Sequence, residues 1–296
     1  MLYPVIDIGS NTVKIAVLDE ETLFREAPVF FKAVPLKIKS KIVENNLPDC
    51  AIEELAELIK SFSEIGKRLT CASPIAFATA SLRGIENLTD VLEKVKEKSG
   101  VEIRVISGKT EAYYSFLGAK GSVSVKNGIS VDLGGGSTEI LSFRKTRVLA
   151  STSLPFGCLT LYQNFFENGK NDMEGCRAFI REHLKKSSPR SSGNSLLLSG
   201  GSAKAILRYK NILENKKNFT LQKSHFLKIE EHFNSDLVKE KEKIEEVLKD
   251  RFRLVPPALA VFSEIADHYK QEQVLVCRSG VREGCLYHYL NKKNKK

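Results

Sequence analysis

The sequence predicts an α/β protein built from two copies of one unit, and two observations carry that expectation. Runs rich in Val, Ile and Leu alternate with runs whose apolar residues recur at helical spacing. One hairpin pattern also occurs twice: DIGSNTVKI (7–15) lies over DLGGGSTEI (132–140), matching Asp7 to Asp132, Gly9 to Gly134, Thr12 to Ser137 and Ile15 to Ile140. Each copy reads strand, Asp-x-Gly, polar turn, strand, and each is the first hairpin of its half.

In the first half, residues 3–9 and 12–18 are the strands of that hairpin, and CAIEELAELIKSFSEI (50–65) has a helical period. SPIAFATASLR is a buried strand running into a loop, and LTDVLEKVKEKSG is a helix ending at glycine. VEIRVIS is a strand. SGKTEAYYSFLGAKG is a helix whose first turn holds Lys109, Thr110 and Glu111. The pattern restarts near residue 120. ISVDLGG, STEILSF and RVLASTSL are strands, FGCLTLYQNFF and MEGCRAFIREHLKK helices, and SSPRSSGN (187–194) a polar surface loop. SLLLSGG is a strand entering a glycine turn and the helix SAKAILRY. Residues 225–250 and 256–270 read as mostly helical, QVLVCRSG as a strand and VREGCLYHYLNKK as a closing helix. The expected domains are 1–120 and 121–296, with the closing helix at about 283–296 packing back on the first.

A chain of 296 residues has room for two domains, and 42% hydrophobic with 28% charged residues is a globular composition. No apolar run approaches the ~18–20 residues that span a bilayer. No basic segment precedes the apolar stretch of MLYPVIDIGSNTVK, so a cytoplasmic location without a secretory leader is expected. The six cysteines, at 50, 71, 158, 176, 277 and 285, show no CxxC spacing and read as reduced thiols rather than a zinc site. The net charge of +10 favours an anionic partner, although KKSSPR, NKKNFTLQKSH and NKKNKK also read as solvated faces. There is no Trp, and Phe and Tyr do not interleave with the basic runs, so neither a specific nucleic acid nor a membrane is expected as partner.

A glycine-rich turn offers bare amides that form a nest for phosphate oxygens, and Ser and Thr hydroxyls add donors. A carboxylate beside such a nest repels the phosphate but holds a divalent cation or its waters. Asp7, Asp132 and Glu139 suit that role. Taken alone, each turn reads as an ordinary hairpin; the matched pair reads as a phosphate site.

DIGSNT and VDLGGGSTEI resemble the two phosphate loops of the actin, Hsp70 and sugar kinase superfamily. Together with FATASLRGIEN, VISGKTEAYYSFLG, SLPFGCLTL, LSGGSAKAI and SGVREGCL, they resemble the exopolyphosphatase/guanosine-pentaphosphate phosphatase (Ppx/GppA) family in order along nearly the whole chain. The resemblance implies two ribonuclease-H-like (actin-like ATPase) domains with an interdomain cleft. It implies release of terminal orthophosphate from polyphosphate, or of the γ-phosphate of guanosine pentaphosphate, with Mg²⁺ or another divalent cation. It makes Glu111 the base that activates water, and ties Asp132 and Glu139 to the metal. Ser10, Asn11, Thr12, Gly134, Gly135, Gly136, Ser137 and Thr138 match phosphate-loop positions, and Arg83 matches a basic residue facing the polyanion. Gly200, Gly201 and Ser202 match a later glycine turn near the distal phosphates. Arg282 and Glu283 match a signature that reads as structural, pairing across the domain hinge. Without the family register, Glu111 reads as a helix N-terminal acid, Arg83 as a strand-end salt bridge and Gly200–Ser202 as a capped strand-to-helix turn.

The chain departs from the family in two segments. FKAVPLKIKSK replaces an arginine-leucine-glycine turn, so Pro35–Lys41 alters a substrate-facing region, and Pro256-Pro257 stands where a glycine turn is usual. The helical C-terminal extension of long members, which adds polyphosphate surface and dimer contacts, is absent from this sequence; a homodimer stays among the expected assemblies. Besides the exopolyphosphatase, the competing readings are a guanosine pentaphosphate phosphatase, a kinase of the same superfamily, and a non-catalytic polyphosphate or alarmone sensor.

Overall fold

The computed structural model describes residues 1–215, 218–234, 242, 244–246 and 248–294. The chain divides into two compact units, Met1–Gly118 with Val281–Lys296, and Ala119–Gly280.

The sheet of the first unit has strands β1 (Leu2–Ile8), β2 (Thr12–Asp19), β3 (Phe30–Pro35), β4 (Ile75–Ala78) and β5 (Ile103–Val105) in the order β3-β2-β1-β4-β5. β1 pairs antiparallel with β2 and parallel with β4; β2–β3 is antiparallel and β4–β5 parallel. β1 and β2 are buried on both faces, which explains their nearly unbroken apolar runs. After the four-residue helix α1 (Ile38–Lys41), helices α2 (Asp49–Arg68) and α3 (Leu88–Ser99) share a core with Ile6, Ile8, Val13, Ile15 and Val17. Tyr3, Val5, Ala16 and Leu18, on the alternate face, pack with Cys285 and Leu286.

After helix α4 (Gly108–Ser122), the second unit forms β6 (Asn127–Leu133), β7 (Thr138–Arg144), β8 (Arg147–Leu154), β9 (Ser195–Ser199), β10 (Thr220–Gln222) and β11 (Gln273–Val276). Their order is β10-β11-β9-β6-β7-β8. β6–β7 and β7–β8 are antiparallel, β6–β9 and β9–β11 parallel. β8-β7-β6-β9-β11 therefore repeats the order and directions of β3-β2-β1-β4-β5, and β10 is an added antiparallel edge. Helices α5 (Cys158–Phe165), α6 (Met173–Ser187), α7 (Gly200–Glu214), α8 (Lys223–Asn234) and α9 (Val255–His268) complete this unit, and α10 (Val281–Lys293) belongs to the first.

Several features differ from the sequence expectation. β3 was not anticipated because it is an edge strand with none of its six residues buried, so no alternation marks it. β10 is only three residues long. Pro256 and Pro257 lie in the first turn of α9, where a missing N–H breaks no helical bond, so this departure starts a helix. Of the helical stretch expected over 225–250, residues 235–241, 243 and 247 lie outside the described residues. All six cysteines are free. Burial pushes the Cys158 thiol up to about 11 and those of Cys176, Cys277 and Cys285 to about 12, so these four stay protonated and unreactive near neutral pH. No described helix is long and apolar enough to cross a membrane.

Candidate functional site

Both glycine turns are closed in the same way. The Gly9 amide donates to the Thr12 carbonyl at 3.2 Å, and the Gly134 amide to the Ser137 carbonyl at 3.0 Å. A Cβ on either glycine would stand 3.1 Å from that carbonyl, which keeps both turns glycine-tight. In the first unit, the Leu36 and Lys37 amides donate to the Asn11 carbonyl at 3.1 and 3.0 Å, and Lys39 to that of Ser10 at 3.1 Å. In the second, the Cys158 amide donates to Gly134 at 3.0 Å and Leu159 to Gly135 at 2.9 Å. The segment after the third strand of each unit thus occupies turn carbonyls, and the groups left to a ligand are amides and hydroxyls.

Within the first unit, Glu111 lies in the opening turn of α4, and the Ser107 hydroxyl caps that turn by accepting the Thr110 amide at 3.2 Å. Glu111 is buried and ion-paired with Arg83, whose Nε donates to the Ile106 carbonyl at 2.9 Å. The ATASLR loop that carries Arg83 is pinned to β1 by the buried Ser81 hydroxyl, which donates to the Ile8 carbonyl at 2.6 Å. Ser10 is buried, and Asn11 Oδ1 is buried with no hydrogen-bond partner among the described residues. Rotating that amide would present its NH₂ instead, so the position accepts either a water or a phosphate oxygen. Thr12 Oγ1 accepts from Asn11 Nδ2 at 3.5 Å. Asp7 faces two cations: Lys14 Nζ lies 3.5 Å and Arg282 Nη1 3.7 Å from its Oδ2.

In the second unit, Asp132 stands directly opposite Glu139 on the antiparallel β6–β7 pair, and both are buried. Ser153 of β8 donates to Glu139 Oε1 at 2.8 Å. Gly200 has φ +90°, and a Cβ there would lie 2.7 Å from Asp132 Oδ1 and 2.9 Å from the Leu133 carbonyl. Glycine is therefore required twice over, by conformation and by the approach of the carboxylate. Gly201 has the Arg251 guanidinium against it, where a Cβ would meet Nη2 at 2.2 Å. Ser202 accepts from Cys158 Sγ at 3.2 Å. Ser137 is buried beside the partly exposed Gly134, Gly135 and Gly136. Thr138 is fully buried and donates to the Phe156 carbonyl at 2.7 Å, so its hydrogen is committed inside the unit.

Among the described residues no three His, Cys, Asp or Glu side chains group closely enough to enclose a metal. The donor set that fits a hard divalent cation is Asp132 with Glu139. Like charges placed opposite on a strand pair repel, and Mg²⁺ is commonly held by one or two carboxylates with waters and phosphate oxygens filling the rest. Asp7 fits this role less well, because its Oδ2 already has two cationic neighbours.

The structure brings Asp7, Ser10, Asn11, Thr12, Arg83, Glu111, Arg282 and Glu283 into the first unit, and Asp132, Gly134, Gly135, Gly136, Ser137, Thr138, Glu139, Gly200, Gly201 and Ser202 into the second. Sequence reasoning missed Lys14, Ser153, Arg251 and the placement of Arg282 beside Asp7. Lys14 was accessible from hairpin register alone, since it pairs with Asp7 across the turn.

A family model described as the Ppx/GppA phosphatase family matches residues 30–293. An uncharacterized protein of Streptomyces coelicolor is 29% identical over 198 residues, covering 64% of this chain and 59% of that protein. Exopolyphosphatase 1 of Mycobacterium tuberculosis is 30% identical over 160 residues, covering 53% of this chain and 46% of that one. The chain thus spans about half the length of these relatives. The crystal structure of the Aquifex aeolicus Ppx/GppA family member superposes with a TM-score of 0.84 at 22% identity, covering 99% of both chains. An exopolyphosphatase from Cytophaga hutchinsonii superposes at 0.83 and 19% identity, covering 99% of this chain and 98% of that one. These likenesses establish the two-unit actin-like α/β fold.

Proposed function

Because the chain belongs to the Ppx/GppA phosphatase family, we propose that it hydrolyses a phosphoanhydride, releasing terminal orthophosphate from inorganic polyphosphate. The observation that carries the reading is Glu111, a buried carboxylate oriented by Arg83 in the unit that also holds the Ser10–Thr12 turn. Glu111 takes a proton from water, the hydroxide forms a bond to the terminal phosphorus, and the bridging P–O bond breaks toward the shortened chain. Arg83 has three N–H groups beyond the two bonds it makes to Ile106 and Glu111, which suits it to a phosphate oxygen. Within the first unit the buried Ser10 hydroxyl, and within the second the buried Ser137 hydroxyl and the amides of its glycine turn, are donors suited to phosphate oxygens. Asp132 and Glu139 would hold Mg²⁺, which when bound supplies charge neutralisation for the phosphate oxygens. The net charge of +10 suits a long polyanion.

The test is orthophosphate release from polyphosphates of defined length, guanosine pentaphosphate and ATP, with and without Mg²⁺. Polyphosphate is expected to be the best substrate, and preference for guanosine pentaphosphate would move the assignment to the alarmone. Glu111→Gln should lower the rate roughly 10²–10⁴-fold. Unchanged release from that variant would refute the mechanism, and no release from the wild type on any of the three substrates would favour a sensor.

A further inference from the structure

Three basic segments with no acid among them meet at one end of the second unit. Lys126 precedes β6, Arg144, Lys145 and Arg147 surround the β7–β8 turn, and Arg190 lies in the loop before β9. Backbone contacts hold these segments together. The Lys145 amide donates to the Lys126 carbonyl, and Arg144 stands opposite Asn127 on one side and Arg147 on the other. The Ser192 hydroxyl donates to the Phe143 carbonyl, and a Cβ at Gly193 would lie 2.7 Å from the Asn127 Cβ. Lys120 braces the first segment: it donates to the Val125 carbonyl, with its ammonium 5.9 Å from the Phe143 ring centroid. Each run read alone is a solvated face; the fold gathers them.

Lys126, Arg144, Lys145, Arg147 and Arg190 are all exposed, and none has an ion-pair partner among the described residues. Residues 119–131, 141–153 and 183–195 contain no Asp or Glu. An acid at this end of the sheet, Glu272 just before β11, is two strands from β6 and close to Lys223. Clustered like charges repel, and an anionic partner relieves the repulsion. Leu149, 46% exposed, and the exposed Ala150 follow Arg147 on the edge strand β8. Basic side chains beside exposed apolar ones fit a layer of anionic headgroups over acyl chains. A single nucleic-acid strand would need aromatic faces, but these segments hold no Tyr or Trp and their Phe143 is buried.

We propose that this face docks the protein on an anionic lipid surface, with the five cations against the headgroups and Leu149 entering below them. The docking surface is independent of the phosphohydrolase reading. Asp132 lies at the other end of β6 from Asn127, about 17 Å away at the rise of an extended strand. The test is co-sedimentation of the full chain with phosphatidylcholine vesicles that contain or lack about 30% phosphatidylserine, at low and high salt. The wild type should sediment with the anionic vesicles alone and be released by salt. The triple variant Arg144→Gln, Lys145→Gln, Arg147→Gln should bind roughly 10²-fold more weakly, with melting temperature and hydrolysis of soluble substrate unchanged. Lys126→Gln combined with Arg190→Gln should weaken binding about 10-fold, and serves as the test if the triple variant does not fold. Leu149→Ser should weaken it roughly 5-fold. No binding of the wild type to anionic vesicles, equal binding to neutral ones, or wild-type affinity in the charge variants overturns the proposal. Unchanged affinity in Leu149→Ser also overturns it, since a soluble polyanion needs no apolar contact. Binding to single-stranded RNA without binding to vesicles would assign the face to nucleic acid instead.

Discussion

The two glycine turns share a backbone and differ in chemistry. Each closes with one amide-to-carbonyl bond, at 3.2 and 3.0 Å, and each glycine has the same 3.1 Å clearance for a Cβ. Each follows an aspartate at the end of a central strand. The residue opposite that aspartate is Lys14 in the first unit and Glu139 in the second. An Asp–Lys pair with Arg282 nearby leaves excess positive charge, which suits phosphate. An Asp–Glu pair concentrates negative charge, which suits a divalent cation. The two turns share a shape, and one cross-strand position gives them opposite charge.

Exchanging the character of that position gives the largest expected effect. Glu139→Gln should lower kcat by about 10²-fold or more and raise the Mg²⁺ concentration needed for half-maximal rate, because a carboxylate proposed to hold the cation becomes a neutral amide. Lys14→Gln should instead raise KM for polyphosphate about 10-fold and leave the Mg²⁺ requirement where it was. Titrating Mg²⁺ at saturating and limiting substrate separates the two. A Mg²⁺ shift of equal size in both variants would end the division of labour.

That division was only partly legible in the sequence. The paired hairpins were readable because strand periodicity, Asp-x-Gly and turn length are local, and local register fixes which side chains share a face. The same register places Thr138 on the face opposite its neighbour Glu139, and its hydroxyl ends on the Phe156 carbonyl, a contact that a motif match does not reveal. Arg282 was legible as a motif residue but not as a neighbour of Asp7. Its position depends on the closing helix returning to the first unit and on the Gly284 contact with α4. β3 was missed because an exposed edge strand carries no burial pattern, although its neighbour β2 was plain.

A smaller effect is expected at Gly200, the residue that lets the second unit bring its later turn up to Asp132. Alanine there must hold φ near +90° and place a Cβ 2.7 Å from the Asp132 carboxylate. Strain and displacement together should cost about 2–3 kcal/mol, read as a lower denaturant midpoint. Equal stability of Gly200→Ala would mean that Asp132 does not depend on this close approach.

The smallest effect belongs to the segment that departs from the family pattern. Lys37 sits at φ 51°, ψ 41°, the left-handed region where glycine is free and an L-residue is strained by roughly 1 kcal/mol. Its amide donates to the Asn11 carbonyl at 3.0 Å, and that bond needs no side chain. Lys37→Gly should relieve the strain but add entropy to the unfolded chain, so stability should rise by at most about 1 kcal/mol. The bonds from Leu36 and Lys39 to the turn would persist, keeping the Ser10–Thr12 turn closed as in the wild type. In the second unit the matching ties come from Cys158 and Leu159, both buried and uncharged, so the tie itself requires no lysine. A loss of stability in Lys37→Gly would show instead that the lysine side chain anchors the strap, and the two turns would then be held by different means.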